Sequence, residues 1–195
     1  MLPPPKVSGS MLRYEQINLE TEDERLIALV REGNFDVILM LDVLEHLSGP
    51  ERFLLQLSSL PYKHVPRFVC STANVSFVVV RLMLLLGHFN YGQRGILDVT
   101  HKRLFSVHTF RNLLEQTGFL VQREILIPFP FRTLGFSARV ARLLERANTL
   151  FIRIRPRLFA YQIMLEALPL TTPAATLEET IKSESNASFA ADASE

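Results

Sequence analysis

The feature that most constrains this chain is a short apolar run that ends abruptly in ionisable side chains. Residues 37–41 read Val-Ile-Leu-Met-Leu, and Asp42, Glu45 and His46 follow soon after. An unbroken apolar run of this length suits a strand covered on both faces, and such strands normally lie in a parallel sheet. In open α/β sheets the ligand binds outside the carboxyl ends of the strands. The run therefore predicts a buried strand that carries these three side chains to a ligand site.

A purely local explanation fits the same two carboxylates. Asp42 precedes Glu45 by three residues, which is the spacing of a helix capping box, and His46 would then lie in the first turn of that helix. A ligand site, in contrast, needs converging groups from other parts of the chain. The pattern alone leaves both explanations open, the helix cap and the ligand site.

A second strand is predicted to bring such groups. Residues 67–71 form another short apolar segment with β-branched character, and Ser71, Thr72 and Asn74 end it. The carboxyl ends of two parallel strands are expected to be neighbours. Helices are predicted from residue 20 onward, from a capping Ser48 to residue 60 with the apolar residues of 53–60 buried, at 77–86, at 107–117 after a capping Ser106 and at 134–154. Further strands are predicted at 11–19, 119–127 and 158–168.

One domain with a tail is the expectation for a chain of this size. Its 195 residues, of which 48% are hydrophobic, suffice for a single substantial core. We predict an extended lead-in with a possible strand at residues 1–17, a partial domain at 18–168 and a disordered tail at 169–195. The end of the chain is rich in Ala, Ser, Thr and Glu and has little apolar surface to bury.

Composition also argues against several partners. The formal net charge of +1 gives no electrostatic case for nucleic acid. The single cysteine, Cys70, cannot form an internal disulfide, and no pair of histidines or cysteines has metal-ligand spacing, so we predict no metal. The most apolar stretch, 77–86, contains Arg81 and is too short to span a bilayer. We therefore expect no stable membrane insertion and a cytoplasmic location.

Four segments occur in an order that is typical of one enzyme family. They are Asp42-Val43-Leu44-Glu45-His46-Leu47, Ser71-Thr72-Ala73-Asn74-Val75, Gly95-Ile96-Leu97-Asp98 and Thr100-His101-Lys102-Arg103-Leu104-Phe105. With them the chain resembles class I S-adenosylmethionine-dependent methyltransferases of the type 11/12/23 group, from about residue 18 to residue 168. The resemblance implies an α/β fold with a Rossmann-like sheet, in which 35–41 is the fourth strand, 67–71 the fifth, and 119–127 with 158–168 the antiparallel closing pair.

The resemblance also implies a function and its residues. The cofactor would be S-adenosylmethionine, and the reaction would be methyl transfer to a hydroxyl or amine of a small-molecule acceptor. His46 and His101 would be catalytic, because either could orient or deprotonate a hydroxyl. The expected cofactor-binding residues are Asn18, Asp42, Val43 and Glu45, and the expected substrate-binding residues are Asn74, Tyr91, Asp98 and Arg103.

The sequence departs from the family where the donor is usually bound. None of the eight glycines forms a Gly-x-Gly pair, so the glycine-rich turn after the first strand is missing, and the first two strands of the family sheet are missing with it. A sheet without its central first strand would expose unpaired edges. Four explanations stay open: a truncated gene model, an isoform, a degenerate paralogue, or a part completed by another protein chain, which would then be its partner. The alternative is a non-catalytic, methyltransferase-like remnant that acts as a protein-interaction module.

Overall fold

The computed structural model describes residues 15–170 and contains a four-stranded sheet with helices between its strands. A 3-10 turn follows the first strand (Leu44–His46) and another precedes the longest helix (Phe131–Leu134). The strands are β1 (Val37–Leu41), β2 (Arg67–Ala73), β3 (Phe119–Ile127) and β4 (Gln162–Pro169). The helices are α1 (Asp23–Glu32), α2 (Pro50–Ser58), α3 (Val78–Leu85), α4 (Val107–Gln116), α5 (Ala138–Ile154) and α6 (Pro156–Phe159).

The sheet has the order β1-β2-β4-β3. β1 and β2 are parallel, with Met40 opposite Cys70, whereas β4 runs antiparallel to both β2 and β3. β4, the last strand of the described residues, is thus inserted between β2 and β3. The predicted α/β fold is confirmed, including the parallel pair and the antiparallel closing pair.

One face of the sheet carries the main core. Phe68, Ile163 and Leu165 are fully buried against side chains of α2 and α4, which include Leu54 and Phe110. The amphipathic pattern of both helices supplies this apolar side. Cys70 is also fully buried within this cluster. The core therefore fixes the positions of β1 and β2, whose carboxyl ends carry the predicted site.

The prediction that the first strand is covered on both faces is wrong for the described residues. Met40 is 5% exposed, but Val37, Leu39 and Leu41 are 49%, 61% and 49% exposed. β1 is the outermost strand of the described sheet, and its alternate side chains point to opposite faces. The core packs on the Met40 face only. The apolar run thus supplies a row of exposed side chains that a further layer would cover.

Helix starts agree with the sequence in one case and differ in two. The Ser106 Oγ accepts a hydrogen bond from the Thr109 N–H at 3.2 Å, which confirms the predicted cap of α4. The predicted cap of α2 is wrong, because Gly49 precedes Pro50, and the hydroxyl of Ser48 accepts a hydrogen bond from Lys102 instead. The predicted helix at 134–154 begins later, at Ala138. A left-handed Gly118 (φ 84°) lies between α4 and β3.

The two predicted terminal segments fall mostly outside the described residues. Residues 1–14 and 171–195 lie outside them, and so do most of the predicted lead-in and tail. Within the described part, residues 15–18 form no strand, and Pro169 still belongs to β4. Over residues 15–170, no helix is both long and apolar enough to cross a membrane.

Candidate functional site

A cleft of about 310 Å³ lies at the carboxyl ends of β1 and β2. Its position follows from the parallel pairing of these strands, whose carboxyl ends meet at one edge of the sheet. The turn after β1, the end of β2, the loop between α3 and α4, and the start of β4 each contribute side chains. The lining residues are Asp42, Glu45, His46, Ala73, Arg94, Gly95, Asp98, His101, Tyr161 and Gln162.

Asp42 is held by the sheet and does not cap a helix. Its backbone is in the left-handed region (φ 52°), and its Oδ1 accepts hydrogen bonds from Ser71 Oγ at 3.0 Å and Gln162 Nε2 at 2.8 Å. The 3-10 turn that follows starts after Val43 and has no side-chain cap. The helix-cap explanation is therefore wrong, and the Asp42 carboxylate is fixed beside the cleft by groups from two other strands.

Glu45 is a buried carboxyl without a hydrogen-bond partner. The residue is 1% exposed, and neither carboxyl oxygen has a partner among the described residues. Burial raises the pKa of Glu45 above its ordinary value of 4.5, and the negative charge of Asp42 adds to the rise. The backbone N–H of Glu45, the Thr72 hydroxyl and His101 oppose the rise, although none makes a hydrogen bond of normal geometry to the carboxyl. An unpaired buried acid of this kind is typical of functional sites.

The loop that carries the second histidine is tied to the backbone of the same glutamate. The Glu45 carbonyl oxygen accepts hydrogen bonds from the N–H groups of Lys102 at 2.9 Å and Arg103 at 3.1 Å. The Asp98 carboxylate accepts two bonds from Thr100, from its hydroxyl at 2.7 Å and from its N–H at 2.8 Å, and these bonds lower the pKa of Asp98. Residues 98–103 are thereby held in one conformation over the turn that follows β1.

The two histidines lie together, and their surroundings determine where their protons are. The ring centroids of His46 and His101 are 4.8 Å apart, edge to face. The Nδ1 of His46 lies 3.2 Å from the Thr100 carbonyl oxygen, and the Nδ1 of His101 lies 3.0 Å from the Ile96 carbonyl oxygen. Because a carbonyl oxygen can only accept, each Nδ1 must donate. In its neutral form, each imidazole then keeps the lone pair of its Nε2 available to accept a proton.

Tyr161 is another residue of the cleft lining. Its ring packs edge to face against Phe77 and Phe129, with centroid distances of 5.7 and 4.9 Å. Burial raises the pKa of Tyr161, and the charge of Asp42 raises it further, so the phenol remains neutral. The hydroxyl lies 3.7 Å from the place where a Cβ on Gly95 would be. Gly95 itself has φ 96°, a conformation that favours glycine.

The structure brings half of the predicted site residues into this cleft. Asp42, Glu45, His46, Asp98 and His101 line it. Their proposed roles as cofactor-binding, substrate-binding or catalytic groups stay predictions, because the position of a side chain in the cleft does not test its role.

The other predicted residues lie elsewhere. Asn74 is fully buried and its amide donates to two backbone carbonyls. The exposed Arg103 forms an ion pair with Glu51, and Tyr91 packs against Phe89 in an exposed loop. Asn18 accepts a hydrogen bond from the Glu20 N–H before α1, and Val43 packs against the main core. These five residues do not line the cleft.

Gln162, Tyr161, Arg94 and Gly95 line the cleft although the sequence did not single them out for it. Gln162 begins β4, 120 residues after Asp42, and only the insertion of β4 next to β2 brings the two together. The sequence signal for Gly95 is its place in the segment Gly95-Ile96-Leu97-Asp98. Nothing in the sequence pattern around Gln162 indicates a site.

A larger, apolar cavity of about 630 Å³ adjoins the cleft. It lies between α3, the loop at 90–97 and α5 with α6. Arg94, Gly95 and Tyr161 line both spaces, so the two meet at these residues.

Replacing Glu45 by glutamine is expected to stabilise the fold at neutral pH. Because the pKa of Glu45 is raised in the folded state, folding favours the protonated carboxyl. The stability that this form contributes is fully present below pH 4.5 and is lost as the pH rises through the folded-state pKa. Glutamine stays neutral, so the free energy of unfolding at pH 8 should increase by about 1 kcal/mol, with little change in acid. Urea denaturation at several pH values measures this difference.

The control for this test is Glu51→Gln. Burial opposes the shift, but the hydrogen bond and charge of Arg103 lower the pKa of Glu51 on balance. Its contribution to stability is therefore present above its ordinary pKa and lost in acid, so the variant should be slightly less stable at pH 8. A Glu45→Gln variant that loses stability at pH 8 would contradict the unpaired state of this carboxyl.

Comparison with known proteins identifies the family of this chain. A family model described as a methyltransferase domain matches residues 8–124. No curated protein matches the sequence. A solved S-adenosylmethionine-dependent methyltransferase from Archaeoglobus fulgidus is 15% identical, over 76% of this chain and 65% of that one, with a TM-score of 0.47. Another from Mesorhizobium loti is 13% identical, over 71% of this chain and 66% of that one, with a TM-score of 0.38.

The family match covers more than half of the sequence and includes β1, the turn with Glu45 and His46, β2 and α4. This chain spans 65% of the length of the Archaeoglobus fulgidus protein. The predicted class I resemblance is confirmed, and the predicted cofactor, S-adenosylmethionine, is the one that membership implies. The chain belongs to the methyltransferase domain family.

Proposed function

We propose that the chain transfers a methyl group from S-adenosylmethionine to a hydroxyl or amine of a small molecule. The observation that carries the proposal is the pair of histidines in the cleft. Their Nδ1 atoms both face carbonyl oxygens, which leaves both Nε2 atoms as bases beside the carboxyl ends of β1 and β2. A positioned base within reach of a hydroxyl contributes to methyl transfer by removing the proton as the new bond forms.

The acidic side of the cleft fits the cationic part of the donor. S-adenosylmethionine carries a positive sulfonium and an ammonium group, and Asp42 and Glu45 supply carboxyls on the same side of the cleft. The unpaired oxygens of Glu45 support this fit, because a cation beside them would supply the missing interaction. Val43 stands between these two residues in the chain and holds the turn to the core. Asn18 remains a predicted contact whose side chain lies outside the cleft.

The chemistry divides between the donor and the protein. S-adenosylmethionine, held beside Asp42 and Glu45, would supply the methyl group to the acceptor oxygen or nitrogen and would leave as the neutral thioether. The Nε2 of His46 or His101 takes the proton of the acceptor and passes it to water. Asp98 and Thr100 hold the loop that carries His101, and Tyr161 adds an aromatic ring to the lining of the cleft.

We expect a partner chain at the free edge of β1, beside the proposed donor site. No described strand pairs with this edge, and the adjacent face exposes Val37, Leu39 and Leu41. Unpaired N–H and C=O groups at such an edge readily pair with another strand. A protein chain that adds a strand here would strengthen the donor binding of this chain by supplying the glycine-rich turn that the sequence lacks.

Calorimetric titration of the folded chain with S-adenosylmethionine tests the proposal, with circular dichroism to establish that the chain is folded. We expect saturable binding that is weakened about tenfold by Asp42→Asn, since a charged hydrogen bond is stronger than a neutral one by roughly that factor. The control is Asp36→Asn, because the Asp36 side chain is 91% exposed at the other end of β1. A folded chain that binds no donor, or that binds it equally after Asp42→Asn, would contradict the proposal.

A non-catalytic interaction module is the second candidate. The same exposed row at Val37, Leu39 and Leu41, together with the free edge of β1, is the observation that favours it. Such a module would associate through this face and would bind no donor when folded. The titration therefore separates the two functions directly.

A further inference from the structure

We propose that the methyl acceptor is an amphiphile whose hydroxyl lies at the histidines while its apolar body fills the 630 Å³ cavity next to the cleft. The inference rests on the proposed function and adds the chemical class of the acceptor. Three observations support it: the volume of that cavity, its apolar lining and the residues that it shares with the histidine cleft.

The cavity has the size and the walls of a ligand site for an apolar molecule. Its volume falls within the range of about 300–1,000 Å³ that is typical of small-molecule pockets. Apolar residues of α3, α5, α6 and the intervening loops form most of its lining, including Val80, Leu97, Phe129, Leu144, Phe151 and Phe159. An apolar occupant gives up no hydrogen bonds with water when it enters. A polar occupant would give them up, and these walls offer no hydrogen bonds to replace them.

The polar residues of the lining do not change this character. Asn148 is 7% exposed, and both ends of its amide are bonded to the protein. Its Oδ1 accepts from the Phe129 N–H at 3.0 Å, and its Nδ2 donates to the Phe159 carbonyl at 3.1 Å. Asn90 and Arg94 are exposed, and Arg94 lies where the cavity meets the cleft. A sugar placed in this space would bury several hydroxyls without hydrogen-bond partners, which disfavours its binding.

Tyr161 joins the apolar cavity to the histidine cleft. The faces of Phe77 and Phe129 are stacked at 6.1 Å, and both pack against the edge or face of the Tyr161 ring. Tyr161, Gly95 and Arg94 line both spaces. A molecule with its hydroxyl near the Nε2 atoms must therefore continue past this tyrosine, and the space behind it accepts only apolar groups.

The rim of the cavity is apolar on the side away from Asn90 and Arg94, along α3, the 3-10 turn at 131–134 and α5. Val79, Leu134 and Phe151 line it and are 50%, 58% and 46% exposed. Half-exposed apolar residues around a cavity are typical of sites that take up hydrophobic ligands. The tail of the acceptor can therefore enter without crossing a charged surface.

The test compares para-octylphenol with phenol as acceptors for transfer of a radiolabelled methyl group from S-adenosylmethionine. Both have the same reacting hydroxyl, and they differ only in the tail. Because each buried methylene is worth roughly 0.8 kcal/mol, the expected kcat/KM is at least about 100-fold higher for para-octylphenol. Equal values for the two phenols would overturn the inference.

Two tryptophan variants on α5 locate the effect in the cavity. Ala147 lines the cavity and is exposed at its margin, so Ala147→Trp should fill part of it without disturbing the core. Leu143 is 68% exposed on the same helix and does not line the cavity, so Leu143→Trp is the matched control. We expect Ala147→Trp to lower kcat/KM for para-octylphenol at least tenfold and to leave phenol unchanged, whereas Leu143→Trp changes neither.

A binding measurement without the donor separates this inference from the proposed function. Displacement of an apolar fluorescent dye, anilinonaphthalene sulfonate, by para-octylphenol should occur in the parent and in Leu143→Trp and should weaken at least tenfold in Ala147→Trp. Binding of this kind without any donor binding would overturn the proposed function alone. Donor binding or methyl transfer with no displacement, or with equal displacement in all three proteins, would overturn the amphiphilic acceptor.

Discussion

Asparagine in place of His46 or His101 is expected to lower kcat for methyl transfer to a phenol by about 10²–10⁴-fold. The amide nitrogen of asparagine can replace Nδ1 and preserve the hydrogen bond to the Thr100 or Ile96 carbonyl. The substitution therefore removes the Nε2 base while keeping the local support of each loop. The variant that shows the larger loss identifies the histidine that takes the proton, and the other would then act by positioning the first.

The readouts must distinguish loss of a base from loss of the fold. His64→Asn is the matched control, since His64 is an exposed residue that pairs with Asp36 near the amino end of β1. Donor affinity by calorimetry should stay unchanged in all three variants, so that the effect appears in kcat. If both cleft variants retain the parent rate, neither histidine is the base and the mechanism proposed here is wrong.

Asn74→Ala is expected to destabilise the fold by about 2–4 kcal/mol. The side chain is fully buried, and its amide donates to the carbonyls of Arg157 at 3.1 Å and Ala160 at 2.8 Å while its Oδ1 accepts from the Ser76 N–H at 3.0 Å. Alanine would leave the buried Ala160 carbonyl without a partner and would remove two partly buried hydrogen bonds, and a buried unsatisfied group costs about 1–3 kcal/mol. Urea denaturation gives the change in the free energy of unfolding.

The control for this variant is Asn34→Ala, at an exposed position before β1, which should change stability by no more than about 0.5 kcal/mol. The comparison also tests the role that the sequence suggested for Asn74. If its task is to bind the acceptor, alanine would change KM and leave stability close to that of the parent. The buried hydrogen bonds lead us to expect the reverse.

The sequence predicted the parts of the site that depend on neighbouring residues. Asp42, Glu45 and His46 follow β1 in the chain, so identifying the strand was enough to place them at its carboxyl end. Gln162 and Tyr161 could not be predicted in this way, because they reach the cleft only through the position of β4 between β2 and β3. That position depends on the packing of the whole sheet, which a local pattern does not contain.

The exposure of β1 has a similar explanation. An apolar run indicates that its side chains are suited to burial, but it does not indicate which segment covers them. The described residues bury the Met40 side chain, whereas they leave the Leu39 side chain exposed. Likewise, the spacing of Asp42 and Glu45 satisfied the rule for a helix cap, although the hydrogen bonds from Ser71 and Gln162 determine the actual position of Asp42.

The position of Cys70 makes its thiol a probe of whether the sheet is intact. The thiol is the single one in the sequence, lies in the middle of β2 and is fully enclosed by the core, where burial raises its pKa to about 12. A thiol reacts through its thiolate and needs contact with the reagent. While the sheet is closed, the raised pKa of Cys70 keeps the thiolate scarce and the core keeps the reagent away from the sulfur. Its reactivity becomes appreciable only when β2 separates from its neighbours. Labelling of the Cys70 thiol therefore detects each opening of the sheet that supports the cleft.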